Sequence, residues 1–344
     1  MVKHSGKGSV YMVANGNVIN GIPEISTFVQ SQASSMRMAG WEVFLGIVDD
    51  RTSIKGIIRN IRRLQGEVGQ KKPDLVHVLY GSMTALVSYL GKRKLPLVLS
   101  FCGSDLLGVP APSFAWRVRE WVGRFIGLWV AGRSAAIIVK SNNLLQSLPK
   151  NLREKAAIIP NGVDVNFFRP IEKKEARAKL GWSQEARVVV FNPSKDHNQY
   201  VKNFNLARRT VEDLARYVPN TSLQLIANVS AEEVLLRLNA ADCLLVTSLH
   251  EGSPNIVKEA MACNLPVISV PCGDVPERLV GAFPGGVYPY DALALSAGIQ
   301  EVFKFKERSN GLEQLIAQGL TADLIAERLT QIYCKVQTEN IFNK

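Results

Sequence analysis

A chain of 344 residues is long for one hydrophobic core and comfortable for two domains of about 150–170 residues each. With 47% hydrophobic and 21% charged residues and a mean hydropathy of +0.04, it falls outside the disordered and collagen-like classes. The net charge of +11 lies wholly in residues 1–165, because residues 166–344 balance to zero. An anionic membrane surface, an acidic substrate or nucleic acid would each suit such a half, and so would a merely soluble basic domain.

In chain order, "MVKHSGKGSVYMVANGN" lacks an apolar stretch followed by a small-residue cleavage site, so no signal peptide is expected. No later run reaches the roughly 18–20 uncharged residues of a membrane span. Apolar runs at 9–15, 41–48, 75–80, 96–102, 135–140 and 156–160 have strand length and β-branched content, with room for helices at 26–39, 53–70 and 113–132. Strands that read as buried on both faces, alternating with helices, predict a doubly wound parallel sheet. The pattern restarts with runs at 187–193, 223–228, 242–248 and 265–270, and with helical stretches at 203–217, 231–241 and 254–263.

Between the two series, "IIPNGVDVNFFRP" (158–170) supplies Pro and Asn-Gly punctuation. The expected organisation is therefore α/β, with two facing Rossmann-like domains and a cleft between their strand carboxyl ends, where ligands of such sheets bind. The first domain is placed at 1–165 and the second at 166–318. A C-terminal helix over 319–344 could cross back to the first.

Five cysteines, an odd number without C-x-x-C spacing, lie mostly in apolar runs and read as reduced small hydrophobes of a cytoplasmic protein. The four histidines have no metal spacing, and His77, inside an apolar run, reads as a core residue. No Asp-x-Asp occurs, and no metal is expected. "ANGNVINGIP" (14–23) is expected to be a loop after the first strand in which Gly16 and Gly21 let the backbone approach a ligand. It is not G-x-G-x-x-G, and "HSGKGS" has no P-loop spacing.

The richest stretch is "HEGSPNIVKEAMACNLPVISVPCGD" (250–274). Ser253 is expected to cap a helix with Pro254 in its first position, so that free N–H groups and the positive dipole end form an anion site. Ile256, Val257, Ala260 and Met261 would face the core, with Glu259 off that face and Glu251 in the preceding loop. Glu259 is too deep for a dipole effect alone.

This stretch resembles the retaining glycosyltransferases of the GT-B fold, specifically glycosyltransferase family 4. Glu251 and Glu259 match the family's E-x7-E motif, "IPNGVD" (159–164) matches its interdomain segment, and "NPSKDHNQYVKNFNLA" (192–207) resembles the element that carries two basic residues for a donor diphosphate. The resemblance implies a nucleotide-diphosphate-sugar as co-substrate, with UDP the expected nucleotide, and no cofactor. Lys195 and Lys202, with the amides of Gly252, Ser253, Pro254 and Asn255, would stabilise the leaving diphosphate, although Pro254 itself carries no N–H. Glu259 would accept from the ribose hydroxyls, and Glu251 would meet the donor sugar. Asn228 falls in the stretch expected to read the base.

In "LSFCGSDLLG" (99–108) many relatives carry a histidine; here Asp105 is expected either to orient a sugar hydroxyl or accept the acceptor proton, or to be a turn residue. This form is like that of polysaccharide-building branches, including teichuronic-acid-type transferases. The resemblance thus implies a hexosyl- or N-acetylhexosaminyltransferase acting in cell-surface polysaccharide synthesis on a glycan or lipid-linked acceptor. Its place would be the cytoplasm, peripheral on the inner face of the membrane. A nucleotide-sugar 2-epimerase and a basic nucleic-acid-binding protein are the alternatives; no basic-aromatic motif supports the latter, and no nucleic-acid partner is expected. "FAWRVREWVGRFIGLWVAGR" (114–133) reads either as a helix packing its apolar face on the sheet or as a contact to an anionic membrane, with Arg59/Arg62/Arg63 and Lys92/Arg93/Lys94 as further basic clusters.

Overall fold

β-Branched runs buried on both faces set the architecture. The computed structural model describes residues 7–19, 22–108, 113–193 and 199–342. Two compact units emerge: Met1–Gly162 together with Ala322–Lys344, and Val163–Thr321.

The first unit opens with β1 (Gly8–Ile19), β2 (Ile22–Ile25), α1 (Thr27–Met38), β3 (Trp41–Val48) and α2 (Ile54–Lys71). There follow β4 (Leu75–Leu79), α3 (Ser82–Gly91), β5 (Leu97–Phe101), the short α4 (Ser104–Leu107) and α5 (Phe114–Arg133). It continues with β6 (Ala136–Val139), α6 (Asn142–Ser147), α7 (Lys150–Arg153) and β7 (Ala156–Ile158). The parallel order is β3-β1-β4-β5-β6-β7. β4 and β5 are buried along their whole length, as continuous apolar runs in a two-sided sheet should be.

Residues 14–19 and 22–23 depart from the loop expected there. β1 runs on to Ile19 and folds back on β2 as an antiparallel hairpin, with Gly16 opposite Ile25. A Cβ on Gly16 would lie 2.8 Å from Ile47 Cγ2 and 2.9 Å from the Glu24 carbonyl, so packing within the protein already requires this glycine. Gly21 lies outside the described residues.

The second unit comprises α8 (Lys173–Leu180), β8 (Arg187–Phe191), α9 (Gln199–Lys202), α10 (Phe204–Ala215), β9 (Thr221–Leu225), α11 (Ala231–Ala240) and β10 (Cys243–Val246). After these come α12 (Asn255–Ala262), β11 (Val267–Ser269), α13 (Val275–Arg278), β12 (Gly286–Val287), α14 (Ala292–Lys304) and α15 (Gly311–Ala317). Its parallel sheet has the order β12-β11-β10-β8-β9. A buried Arg177 ties α8 to this sheet: it donates to Asp242 Oδ2 (2.9 Å), the Ala240 carbonyl (2.9 Å) and the Gln184 carbonyl (2.7 Å).

The last helix, α16 (Ala322–Phe342), belongs to the first unit, where Ile325, Leu329 and Tyr333 share a core with Val10, Met12 and Leu75. Trp41 Nε1 donates to Thr330 Oγ1 at 3.0 Å, and the Tyr333 hydroxyl bonds His77 Nδ1. His77 Nε2 meets Ser100 Oγ at 2.7 Å, so this histidine is a satisfied core residue; burial, aided by Lys140, pushes its imidazole down to about 3. No described helix is long and apolar enough to cross a membrane.

Both sheets are wound alike: the second strand lies to one side of the first, and the third to the other. The winding therefore reverses between β1 and β4 in the first unit and between β8 and β10 in the second. Outside the carboxyl ends at such a reversal is where doubly wound sheets hold ligands.

Candidate functional site

In the second unit the reversal point gathers most of the expected residues. β8 and β10 run parallel, so the segments that follow them emerge side by side. Thr247 Oγ1 stitches them together by donating to the Lys202 carbonyl (2.8 Å) and the Asn203 carbonyl (3.0 Å), and the Leu249 N–H donates to the Val201 carbonyl (2.8 Å). Asn203, in the left-handed region at φ 52°, breaks α9 from α10 and leaves Lys202 at the end of a one-turn helix.

There the Lys202 ammonium forms an ion pair with Glu251 Oε1, and Ser248 Oγ donates to the same oxygen at 3.0 Å. The two side chains are 15% and 16% exposed, half-sheltered yet reachable. Lys202 is thus held by the glutamate that starts the Glu-x7-Glu pair, eight residues before Glu259.

The helix start differs by one residue from expectation. α12 begins at Asn255, and Pro254 occupies the capping position in extended conformation (φ −67°, ψ 121°). Ser253 is therefore not the cap: its hydroxyl accepts from Lys258 Nζ at 3.1 Å, and Pro254 offers no side-chain cap. The positive dipole end of α12 lies next to the buried Gly252 backbone, a setting suited to an anion.

Ile256, Val257, Ala260 and Met261 are buried as the periodicity requires, and Glu259 is half-buried beside them. Burial pushes its carboxyl up to about 7, against the pull of the Lys258 ammonium.

Behind the loop lies a support that the sequence reading missed. Lys258 is 1% exposed although it is a lysine in the middle of a helix. The turn after β11 brings Asp274, also 1% exposed, to ion-pair with Arg278 Nε at 3.1 Å, and the Lys258 charge opposes the burial that raises the Asp274 carboxyl. Gly273, at φ 56°, is needed there: a Cβ would stand 2.9 Å from Glu251 Cβ and from the Gly252 carbonyl. Tyr290 closes the floor by donating to the Ser248 carbonyl at 3.0 Å. The signal available in the sequence was a lysine on an apolar helical face followed by Gly-Asp after the next strand.

Asn228, exposed and left-handed at φ 53°, sits between β9 and α11. Lys195 lies outside the described residues. Asp105, in the first unit, is 5% exposed, and both its carboxylate oxygens are engaged by backbone N–H groups: Gly81 at 2.7 Å, Gly103 at 2.8 Å and Cys102 at 3.0 Å. Its carboxylate thus holds the turn after β5, which is the turn reading of the two considered for Asp105. Lys140 is buried just after β6, and burial draws its ammonium down against the opposing pull of nearby Asp105.

Comparison with known proteins adds an independent line. Residues 31–167 match the family model "Glycosyltransferase Family 4", and residues 184–304 match "Glycosyl transferases group 1". TuaC of Bacillus subtilis, a glycosyltransferase named for teichuronic acid biosynthesis, is 27% identical over 221 residues, which are 59% of this chain and 54% of TuaC. The match thus spans about half the length of that relative.

Among solved structures, sucrose-phosphate synthase from Thermosynechococcus elongatus superposes with a TM-score of 0.77 at 15% identity over 96% of this chain and 100% of that one. Anabaena Alr3699/HepE in complex with UDP and glucose gives a TM-score of 0.70 at 14% identity, over 95% of this chain and 100% of that one.

Proposed function

Because the chain belongs to the glycosyltransferases, family 4 in its first half and group 1 in its second, with the GT-B fold, we propose that it transfers a hexosyl or N-acetylhexosaminyl unit from a UDP-sugar, with retention, to a glycan or lipid-linked acceptor in cell-surface polysaccharide synthesis. The observation that carries this reading is the Lys202–Glu251 ion pair at the β8/β10 reversal point, beside the start of α12. The UDP in complex with the Anabaena protein supports the choice of nucleotide, and the name of TuaC supports the polysaccharide.

On this reading Lys202 exchanges Glu251 for the donor diphosphate, and the first-turn amides of α12 take further phosphate oxygens, with Lys195 as the second cation. As the bond from the anomeric carbon to the diphosphate breaks, negative charge grows on the leaving oxygen, where fixed positive charge is worth most. The acceptor hydroxyl adds on the same face, and its proton passes to a phosphate oxygen. Glu251, released from Lys202, holds donor-sugar hydroxyls and acts by position, without a covalent step. Glu259 receives the ribose hydroxyls. The reaction takes place in the cytoplasm at the inner face of the membrane.

A thermal-shift screen against UDP-, GDP- and ADP-sugars tests this, since a ligand bound only to the native state raises the unfolding temperature by mass action. UDP-sugars should raise it in the parent protein but not in Glu259→Ala or Lys202→Ala. No shift with any nucleotide sugar, or unaltered shifts in both variants, would overturn the site; release of an epimerised UDP-sugar would reassign the reaction.

A further inference from the structure

The helix α5 packs the wrong way round for an ordinary sheet-covering helix. Its buried residues are Gly123, Gly127, Val130 and Ala131, all small or β-branched. The glycines are there for contact: a Cβ on Gly123 would stand 2.5 Å from Ser82 Oγ, and one on Gly127 would stand 3.0 Å from the Ser82 amide nitrogen.

The large apolar side chains point to solvent instead. Phe114 is 74% exposed, Trp121 68% and Phe125 59%, and Val118, Val122 and Trp129 are exposed with them. At about 100° per residue these six positions fall in one stripe roughly 100° wide, opposite the buried glycines. Arg117 and Arg124 border the stripe on one side, Arg119 and Arg133 on the other. Trp121 and Phe125 stack on each other at 6.0 Å, and the Arg133 guanidinium lies 3.9 Å over Trp129. Exposed Arg93 and Lys94 follow α3, the helix on which α5 packs.

We infer that this face of α5 docks on an anionic lipid bilayer. Aromatic rings in a stripe sink to headgroup depth, while arginines on both borders reach lipid phosphates. Charge complementarity selects this occupant: a second copy of the chain would set arginines against arginines, whereas the anionic bilayer satisfies both. The placement of the +11 excess in residues 1–165 agrees, since it adds long-range attraction to the same half. This deepens the proposed reading, because a transferase whose acceptor is lipid-linked has to reach the membrane surface.

The test is sedimentation of the full chain with vesicles of phosphatidylcholine alone or mixed with phosphatidylglycerol, at low and high salt. The protein should pellet with the anionic vesicles, less so as salt rises. Trp121→Glu/Phe125→Glu should lower partitioning by at least about tenfold, and Arg117→Gln/Arg124→Gln by about ten- to thirtyfold. Both should unfold at the parent temperature and keep the parent's nucleotide-sugar shift. Equal binding to both vesicle types, no binding, or unchanged binding by the variants overturns the inference. So does a dimer in lipid-free buffer that Trp121→Glu/Phe125→Glu dissolves, since that gives the face to a second copy. Failure of the donor reading shows separately, as absent nucleotide-sugar shifts with vesicle binding intact.

Discussion

The two units share a winding and differ in how they use the charges at their strand carboxyl ends. In the second unit, Lys202, Glu251 and Glu259 remain partly exposed, and the first two are paired with each other, an arrangement that an incoming diphosphate can rearrange. In the first unit, Asp105 is sealed by backbone N–H groups and Lys140 is buried behind it. The outer surfaces reverse the contrast: α10 buries Ala207, Val211 and Leu214 against its sheet, whereas α5 buries glycines and exposes its aromatics. The fold is thus common to both units, and what separates them is which polar and apolar groups are left unspent.

The sharpest way to break that comparison is to remove charges that are architectural in the second unit itself. Asp242 is 6% exposed, pairs with Arg177 and accepts the Val188 N–H at 2.7 Å. Asp242→Ala strands a buried guanidinium and should cost about 3–5 kcal/mol in denaturant unfolding; a loss below about 1 kcal/mol would mean that water reaches Arg177. Lys202→Ala should leave stability within about 1 kcal/mol, since the pair is reachable by solvent. Turnover should nevertheless fall by about 10²- to 10³-fold, the scale of losing one fixed charge at a developing anion. Steady-state kinetics with a UDP-sugar measures this, and turnover within a few-fold of the parent would place the leaving group elsewhere.

Asp105→Asn sharpens the same contrast from the other unit. An amide nitrogen would then face backbone N–H donors, and the misfit should cost about 2 kcal/mol of stability while nucleotide-sugar binding stays unchanged. If turnover collapsed while the unfolding curve stayed put, the first unit's edge would be chemical as well.

These particulars also mark what sequence can show. β4 and β5 were legible because five consecutive buried residues, LVHVL and LVLSF, suit no environment but a covered parallel sheet. The Glu251/Glu259 pair was legible because its spacing is local. The partnership of Lys258 with Asp274 was not, since they stand 16 positions apart with the strand β11 between them, and only the folded turn brings them together. For α5, periodicity identifies which residues share a face but not which face the neighbouring helix takes; Gly123 and Gly127, four apart on the side opposite the aromatics, were the overlooked clue. Asp105 shows a further limit: a carboxylate in a glycine-rich turn reads alike whether it binds a ligand or its own backbone, until burial decides.

The smallest expected effect is a pH dependence that should run in opposite senses in the two units. In the first, His77 is held neutral by burial at about 3, against an ordinary 6.5. Its contribution is present above pH 6.5 and is lost as pH falls toward 3. In the second, Glu259 is raised from 4.5 to about 7. Its contribution is full below pH 4.5 and is lost as pH rises through 7. A ribose donating two hydroxyl protons needs the ionised carboxylate, so donor binding draws on the form that folding disfavours. Affinity for a UDP-sugar, whose diphosphate diester does not titrate near neutrality, should therefore weaken by up to about tenfold per pH unit below about 7 and level off above it. Glu259→Gln should flatten the profile and remove the alkaline loss of stability. Calorimetric titration across about pH 5–8 separates the cases: a flat profile in the parent would mean that Glu259 does not meet the ribose, and a slope surviving in Glu259→Gln would assign the proton to another group.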